Sequence, residues 1–251
     1  MNQEYKIKPI QTQKDQIKNP KLADEGVIPK LNTSSIIVGK SGSGKTVLLA
    51  NLMKNPLFYS SGKFFSKTFL ISPTGCADDV QKSLGVPESC TFTDLEEAVE
   101  ALKKIEVSQE QKITEMGASK APKFCVILDD CIGSNKFMNS KEFINLFIKA
   151  RHYNITVFFL SQHFKRLPKI CRLQASHLYF FAISNTEAEA LAEEFAPPGM
   201  PKKSFMRLID DVLTEPYQFL SISMKHGWNE RFRKGLAMVI NLDEYKNGAK
   251  V

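Results

Sequence analysis

No apolar run in this chain approaches the roughly 20 residues that cross a bilayer, so no membrane-spanning segment is expected. The opening residues, MNQEYKIKPI, lack the apolar centre of a secretory signal, which predicts a chain that is not exported. Cysteine is sparse. Cys76, Cys90, Cys125, Cys131 and Cys171 stand singly, without the paired spacing of a zinc site, and an odd number closes no disulfide framework. Reduced thiols and a cytoplasmic setting follow. Repeats and low-complexity tracts are absent, and so is acid over one long stretch: from Phe143 to Thr186 there is no Asp or Glu, while Lys149, Arg151, Lys165, Arg166, Lys169 and Arg172 all fall within it. With a net charge of +7, such a stretch is either a solvated face or the footprint of a phosphate-rich partner.

What is present is concentrated between Gly39 and Thr46, where the chain reads GKSGSGKT. The apolar, β-branched Ile36-Ile37-Val38 precedes it and Val47 to Met53 follows, so the loop joins a buried strand to a helix. That context makes the segment a nucleoside triphosphate site. Gly39, Lys40, Ser41, Gly42, Ser43 and Gly44 turn successive backbone N–H groups inward, and the helix starting near Lys45 adds positive potential at its first turn. Lys45 is expected on the β/γ-phosphates and the Thr46 hydroxyl on a magnesium ion bridging them. A guanine-reading Asn-Lys-x-Asp is missing, the nearest run being Asn135-Lys136-Phe137-Met138, and no Leu-Ser-Gly-Gly occurs. A GTP switch and a transport-type ATPase are both disfavoured.

The 251 residues suffice for one large α/β domain or two small ones. Residues 1–30, polar and broken by Pro9, Pro20 and Pro29, are expected as an arm ordered only against the body or a neighbour. A single domain is expected over 31–251, with 200–251 as a C-terminal extension. Strands are expected at Lys67–Ser72, Phe124–Leu128, Ile155–Leu160, His177–Ile183 and, at the sheet's edge, Tyr217–Met224. Helices are expected from Thr93 to about Glu115 with Thr93 and Glu96 as a capping box, from Ser140 to Arg151, and from Glu187 to Phe195 with Thr186 and Glu189 at its start. This alternation predicts a mostly parallel sheet covered by helices on both faces, with ligands at the strands' C-terminal ends.

Val126-Ile127-Leu128-Asp129-Asp130 supplies an acidic pair at a strand terminus. Asp129 would hold magnesium and Asp130 would polarise the attacking water. The stretch between Thr46 and Asp129 leaves room for an additional strand between phosphate loop and acidic motif. Gln162 ends the next strand, where its amide would sense the γ-phosphate or merely close the strand. Arg151 precedes that strand, so strand polarity carries it away from its own phosphates. It either complements a helix terminus or acts in trans as an arginine finger. Lys165, Arg166, Lys169 and Arg172 follow Gln162 on the catalytic edge. The turn from Cys131 to Ser140, with Lys136 as its cation, is a candidate pore loop.

Three segments, GKSGSGKTVLLANLM, CVILDDCIG and KARHYNITVFFLSQHFKRLPKICR, resemble the poxvirus-type DNA-packaging ATPases of large eukaryotic DNA viruses and virophages, a branch of the FtsK–HerA superfamily. The resemblance runs from about Ser34 to Thr186. It implies a RecA-like fold, ATP and Mg2+, a homo-oligomeric ring of five or six subunits, duplex DNA in the pore, and a capsid portal or vertex protein as docking partner. It further implies the virus factory of the host cytoplasm, or the virion, as location. By the same resemblance Lys45 of the phosphate loop, Asp130, Gln162 and Arg151 are catalytic, with Arg151 the trans finger; by their charge and position Lys136, Lys165, Arg166, Lys169 and Arg172 are candidate DNA contacts. A nucleotide kinase and a capsid-associated DNA-binding protein with a regulatory ATP site are the competing readings.

Overall fold

In the computed structural model, Thr12 and residues 16–60, 63–75 and 82–246 are described. Residues 1–11 and 13–15 of the expected arm, and Cys76, lie outside them. Chain order begins with α1 (Lys21–Asp24), β1 (Ser34–Val38), α2 (Lys45–Lys54), β2 (Lys67–Ile71), β3 (Thr91–Phe92) and α3 (Leu95–Met116). It continues through β4 (Phe124–Asp129), α4 (Asn135–Met138), α5 (Lys141–Lys149), β5 (Ile155–Ser161), α6 (Lys169–Gln174) and β6 (His177–Phe180). Helices α7 (Asn185–Phe195) and α8 (Lys202–Val212) then lead to β7 (Leu220–Ser223), β8 (Phe232–Lys234) and β9 (Met238–Val239).

The strands form one sheet in the order β3-β2-β4-β5-β1-β6-β7-β8-β9. The first six run parallel and the last three are antiparallel additions. β1, β4, β5 and β6 are buried along their length, save the terminal Asp129 of β4, because both sheet faces are covered. Side chains alternate between two cores. Ile36, Val38, Val126, Leu128, Val157, Phe159, Leu178 and Phe180 pack beneath α3 to α8. Ile37, Leu70, Ile127, Phe158, Leu160 and Tyr179 face α2 together with Ala23, Ile28 and Leu31, so the described part of the N-terminal arm is built into the body. The Tyr59 hydroxyl, buried in that second core, donates to the Pro29 carbonyl.

β2 lies between the two motifs in sequence, but in space it sits beyond β4. The strand that separates β1 from β4 in the sheet is β5, so the loop and the acids are bridged by the strand that ends at Gln162.

Several local expectations are corrected. Asp94, not Thr93, caps α3, accepting from the Glu96 and Glu97 amides at 2.8 and 2.9 Å. Ser184 begins α7 in place of Thr186. α5 is capped by Ser140 and ends at Lys149. β7 is shorter than Tyr217–Met224 and is not the edge, since β8 and β9 extend the sheet past it. The turn Cys131–Ser140 is not a flexible loop: a 3-10 turn at Cys131–Gly133 and α4 anchor it through buried Phe137 and Met138.

Candidate nucleotide-binding site

Parallel register brings the C-terminal ends of β1, β4, β5 and β6 to one edge. The Gly39 amide donates to the Ser161 carbonyl at 3.1 Å, Lys40 N to Ala182 O at 3.0 Å, and Asp130 N to Leu160 O at 3.2 Å. The phosphate loop and the acidic turn are thus tied to the same strand end. Glycine is favoured at three loop positions, Gly42 among them at φ +72°. A Cβ on Gly39 would fall 2.6 Å from Ser43 Oγ and 2.7 Å from Phe181 Cβ, and Gly44 adopts φ +104° as the N-cap of α2.

Lys45 folds back along the loop, its ammonium donating to the Gly39 and Lys40 carbonyls at 2.8 and 3.0 Å. Burial pulls its pKa below the ordinary lysine value, and the Asp129 and Asp130 charges oppose that shift. Asp130 takes a left-handed backbone, φ 52° and ψ 34°, which Asp tolerates better than most residues; its shorter side chain suits this strained turn. Cys131 beside it is buried, its thiol donates to the Ile71 carbonyl at 3.4 Å, and burial holds its pKa well above the usual value. It is a packing residue.

Gln162 is exposed on this edge at the start of a tightly held loop. Ser161 Oγ accepts from the His163 amide at 3.0 Å, and one carboxylate oxygen of Glu187 accepts from both the Phe164 and Lys165 amides at 3.0 Å. Sequence reasoning missed Glu187, because an acid in a helix's first turn reads as a dipole partner rather than as a clamp on a distant loop.

The candidate DNA contacts separate into two groups. Lys165, Arg166 and Lys169 are exposed beyond Gln162. Arg172 is corrected: it is only 9% exposed, pairs with Glu194 through both Nε and Nη2, donates from Nη1 to the Lys165 and Leu167 carbonyls, and lies over the Phe164 ring. It holds the loop's shape and is not available to DNA. Removing one partner of a buried pair strands the other charge, so Arg172→Ala is expected to lower unfolding stability by about 3 kcal/mol in urea titration, with Arg166→Ala near wild type. Lys136, by contrast, stays at the surface, its ammonium 2.6 Å from Glu96 on α3 in a weak, solvent-exposed pair.

Arg151 does not join this cluster. It is exposed at the opposite end of the strands, ahead of β5, whose seven residues at about 3.3 Å each span roughly 23 Å before Gln162 is reached. There it lines a cavity of about 390 Å³ with Lys18, Lys30, Lys225 and Asp24. Burial, and then the charges of Arg151 and Lys30, hold the Lys225 pKa below its ordinary value.

The donor set fits a hard dication. The Thr46 hydroxyl at the first turn of α2 and two partly exposed carboxylates would leave most of its coordination to phosphate oxygens and water, as Mg2+ prefers. Among the described residues no group of three or more His, Cys, Asp or Glu forms a self-sufficient metal cage, and no helix is long and apolar enough to cross a membrane.

Residues 29–220 match the family described as Poxvirus A32 protein. The DNA packaging protein OPG160 of Variola virus is 26% identical over 189 residues, covering 74% of this chain and 66% of that protein. The uncharacterized protein 015R of Frog virus 3 is 26% identical over 181 residues, covering 72% and 53%. The chain therefore spans about half to two thirds of the length of these curated relatives. Among solved structures, the DNA-packaging ATPase B204 of Sulfolobus Turreted Icosahedral Virus superposes with a TM-score of 0.57 at 14% identity, covering 84% of this chain and 99% of that one. ATPases 2 and 3 of EssC from Geobacillus thermodenitrificans give 0.56 at 11%, covering 83% and 40%. The fold is shared with P-loop ATPases.

Proposed function

The chain belongs to the Poxvirus A32 protein family, and from that premise we propose that it is an ATP-hydrolysing motor that moves double-stranded DNA into a viral capsid. The observation that carries this reading is the edge where Gly39–Thr46, Asp129, Asp130 and Gln162 converge, joined through the end of β5. Loop amides and Lys45 hold the triphosphate, exchanging the ammonium's two carbonyl contacts for phosphate oxygens. Thr46 and Asp129 would hold Mg2+, which supplies neutralisation of the β- and γ-phosphate charge. Asp130 orients water for in-line attack and accepts its proton, and Gln162 contacts the γ-phosphate, so that hydrolysis alters the loop it begins.

Lys165, Arg166 and Lys169 sit within seven residues of Gln162, which ties a phosphate-sensing amide to a basic surface. Their contact with DNA is to backbone phosphate and indifferent to sequence, as a motor that accepts every base requires. The name of the Variola relative, a DNA packaging protein, supports this substrate. A homo-oligomeric ring docked on a capsid portal or vertex protein completes the reading, with Arg151 acting on the neighbouring site.

The test is phosphate release with and without duplex DNA. DNA should stimulate turnover, and the DNA affinity should fall with salt at a log–log slope of about −3, from roughly −0.9 for each of three phosphate contacts. A flat salt response, or phosphoryl transfer to a nucleotide acceptor in place of water, would point to a kinase.

A further inference from the structure

On the side of the phosphate loop away from the acids, the molecule has a cleft of about 770 Å³ lined by Gly44, Val47, Phe181, Tyr217, Phe219 and Leu236. Tyr217 is its unusual member. It is 70% exposed, and its backbone is left-handed at φ 65°, an outlier for so bulky a residue. Its ring nevertheless reaches the phosphate loop, with Cδ1 3.4 Å from where a Gly44 Cβ would stand and Phe181 Cε1 at 3.3 Å. Phe181 in turn packs on Phe219 with ring centroids 4.9 Å apart. Val47, 51% exposed one residue past Thr46, forms the facing wall. A strained, solvent-facing aromatic above an apolar floor gains nothing from burial as the protein stands.

We propose that this cleft is the nucleobase subsite, with Tyr217 as the surface on which the purine ring stacks. The inference rests on the nucleotide-site reading and deepens it. A nucleotide whose phosphates lie on Gly39–Thr46 must place its base within one nucleotide's length of the loop. The β4 and β5 flank carries carboxylates and Gln162, whereas the cleft beside β6 and β7 is lined by no charged side chain and by the rings of Phe58, Phe181, Tyr217 and Phe219, Glu215 lining a separate pocket with Gly42, Ser43 and Tyr217. Gly44 belongs to both the loop and the cleft, so the two are continuous. Asn51 and Asn55 are the cleft's amide side chains, and each already spends a group locally: Asn51 donates to the Val47 carbonyl at 2.9 Å, and Asn55 accepts from the Leu57 amide at 2.9 Å. The base is therefore held by its faces more than by its edges, which favours purines without strong discrimination between adenine and guanine.

Calorimetric titration of the full chain with ATP and with inorganic tripolyphosphate, both with Mg2+, separates base from phosphate. Tyr217→Ala should weaken ATP about tenfold, the scale of one base–aromatic stack, and leave tripolyphosphate within twofold; Tyr217→Phe should bind both as wild type. Equal loss for both ligands would make Tyr217 a support for the loop and overturn the assignment, as would unchanged ATP affinity in Tyr217→Ala. Lys45→Ala is the control: it must weaken both ligands, and ATP binding that survives it would remove the nucleotide site and this subsite with it.

Discussion

Replacement of Lys45 by alanine is expected to abolish ATP turnover, by about 10³-fold or more. The magnitude follows from what one preorganised donor contributes where negative charge accumulates in a partly water-excluded site. Here the ammonium is already in place, suspended between two loop carbonyls and the Asp129–Asp130 charges, so binding needs only a short swing toward phosphate. Alanine leaves the amides of the loop to hold the β- and γ-phosphates alone. A labelled-nucleotide titration should show weakened binding alongside the lost turnover. Asp130→Asn should behave differently, keeping nucleotide affinity while phosphate release collapses, because an amide can occupy the left-handed turn but cannot accept the water's proton. Equal turnover in Asp130→Asn and wild type would take that residue out of catalysis.

The second large effect belongs to Arg151→Ala: near-normal ATP affinity with hydrolysis reduced about 10³-fold, the scale of an arginine finger. The distance argues for this split. Arg151 precedes β5 and the phosphate loop follows β1, at opposite ends of these adjacent parallel strands, which is why the proposed role places the guanidinium on the γ-phosphate of an adjoining copy. Mixing Arg151→Ala with Asp130→Asn should then recover part of the activity, since some interfaces pair an intact acid site with an intact arginine. Loss of ATP binding in Arg151→Ala would place the residue in the fold of its own subunit, and full activity from a monomer would defeat the shared site.

The phosphate loop, the acid pair and the strand before Gln162 could be read from residues alone because each is a local pattern: glycines at fixed spacing, and apolar runs ended by polar side chains. The proline cluster Pro197-Pro198-Gly199-Met200-Pro201 obscured α8, although Phe205, Leu208, Ile209 and Val212 carry a clear helical spacing; Pro201 is in fact its N-cap. β9 had no such signal, being two exposed residues held only by pairing to β8. Arg172 shows a different limit. Its charge placed it with Lys165 and Arg166, and only the fold brings up Glu194 from α7, 22 residues on, to claim it. Tyr217 fell inside an apolar run and read as strand, whereas its positive φ puts it in the turn ahead of β7.

The sheet's two outer strands, β3 and β9, are each two residues long. Outer strands this short give a neighbour little backbone of their own on which to continue the hydrogen-bonded ladder, one of the ways in which folds discourage edge-to-edge aggregation. Contact between copies would then rest on side chains rather than on a shared ladder. Joints of that kind would break and re-form without unzipping main chain, leaving each sheet whole.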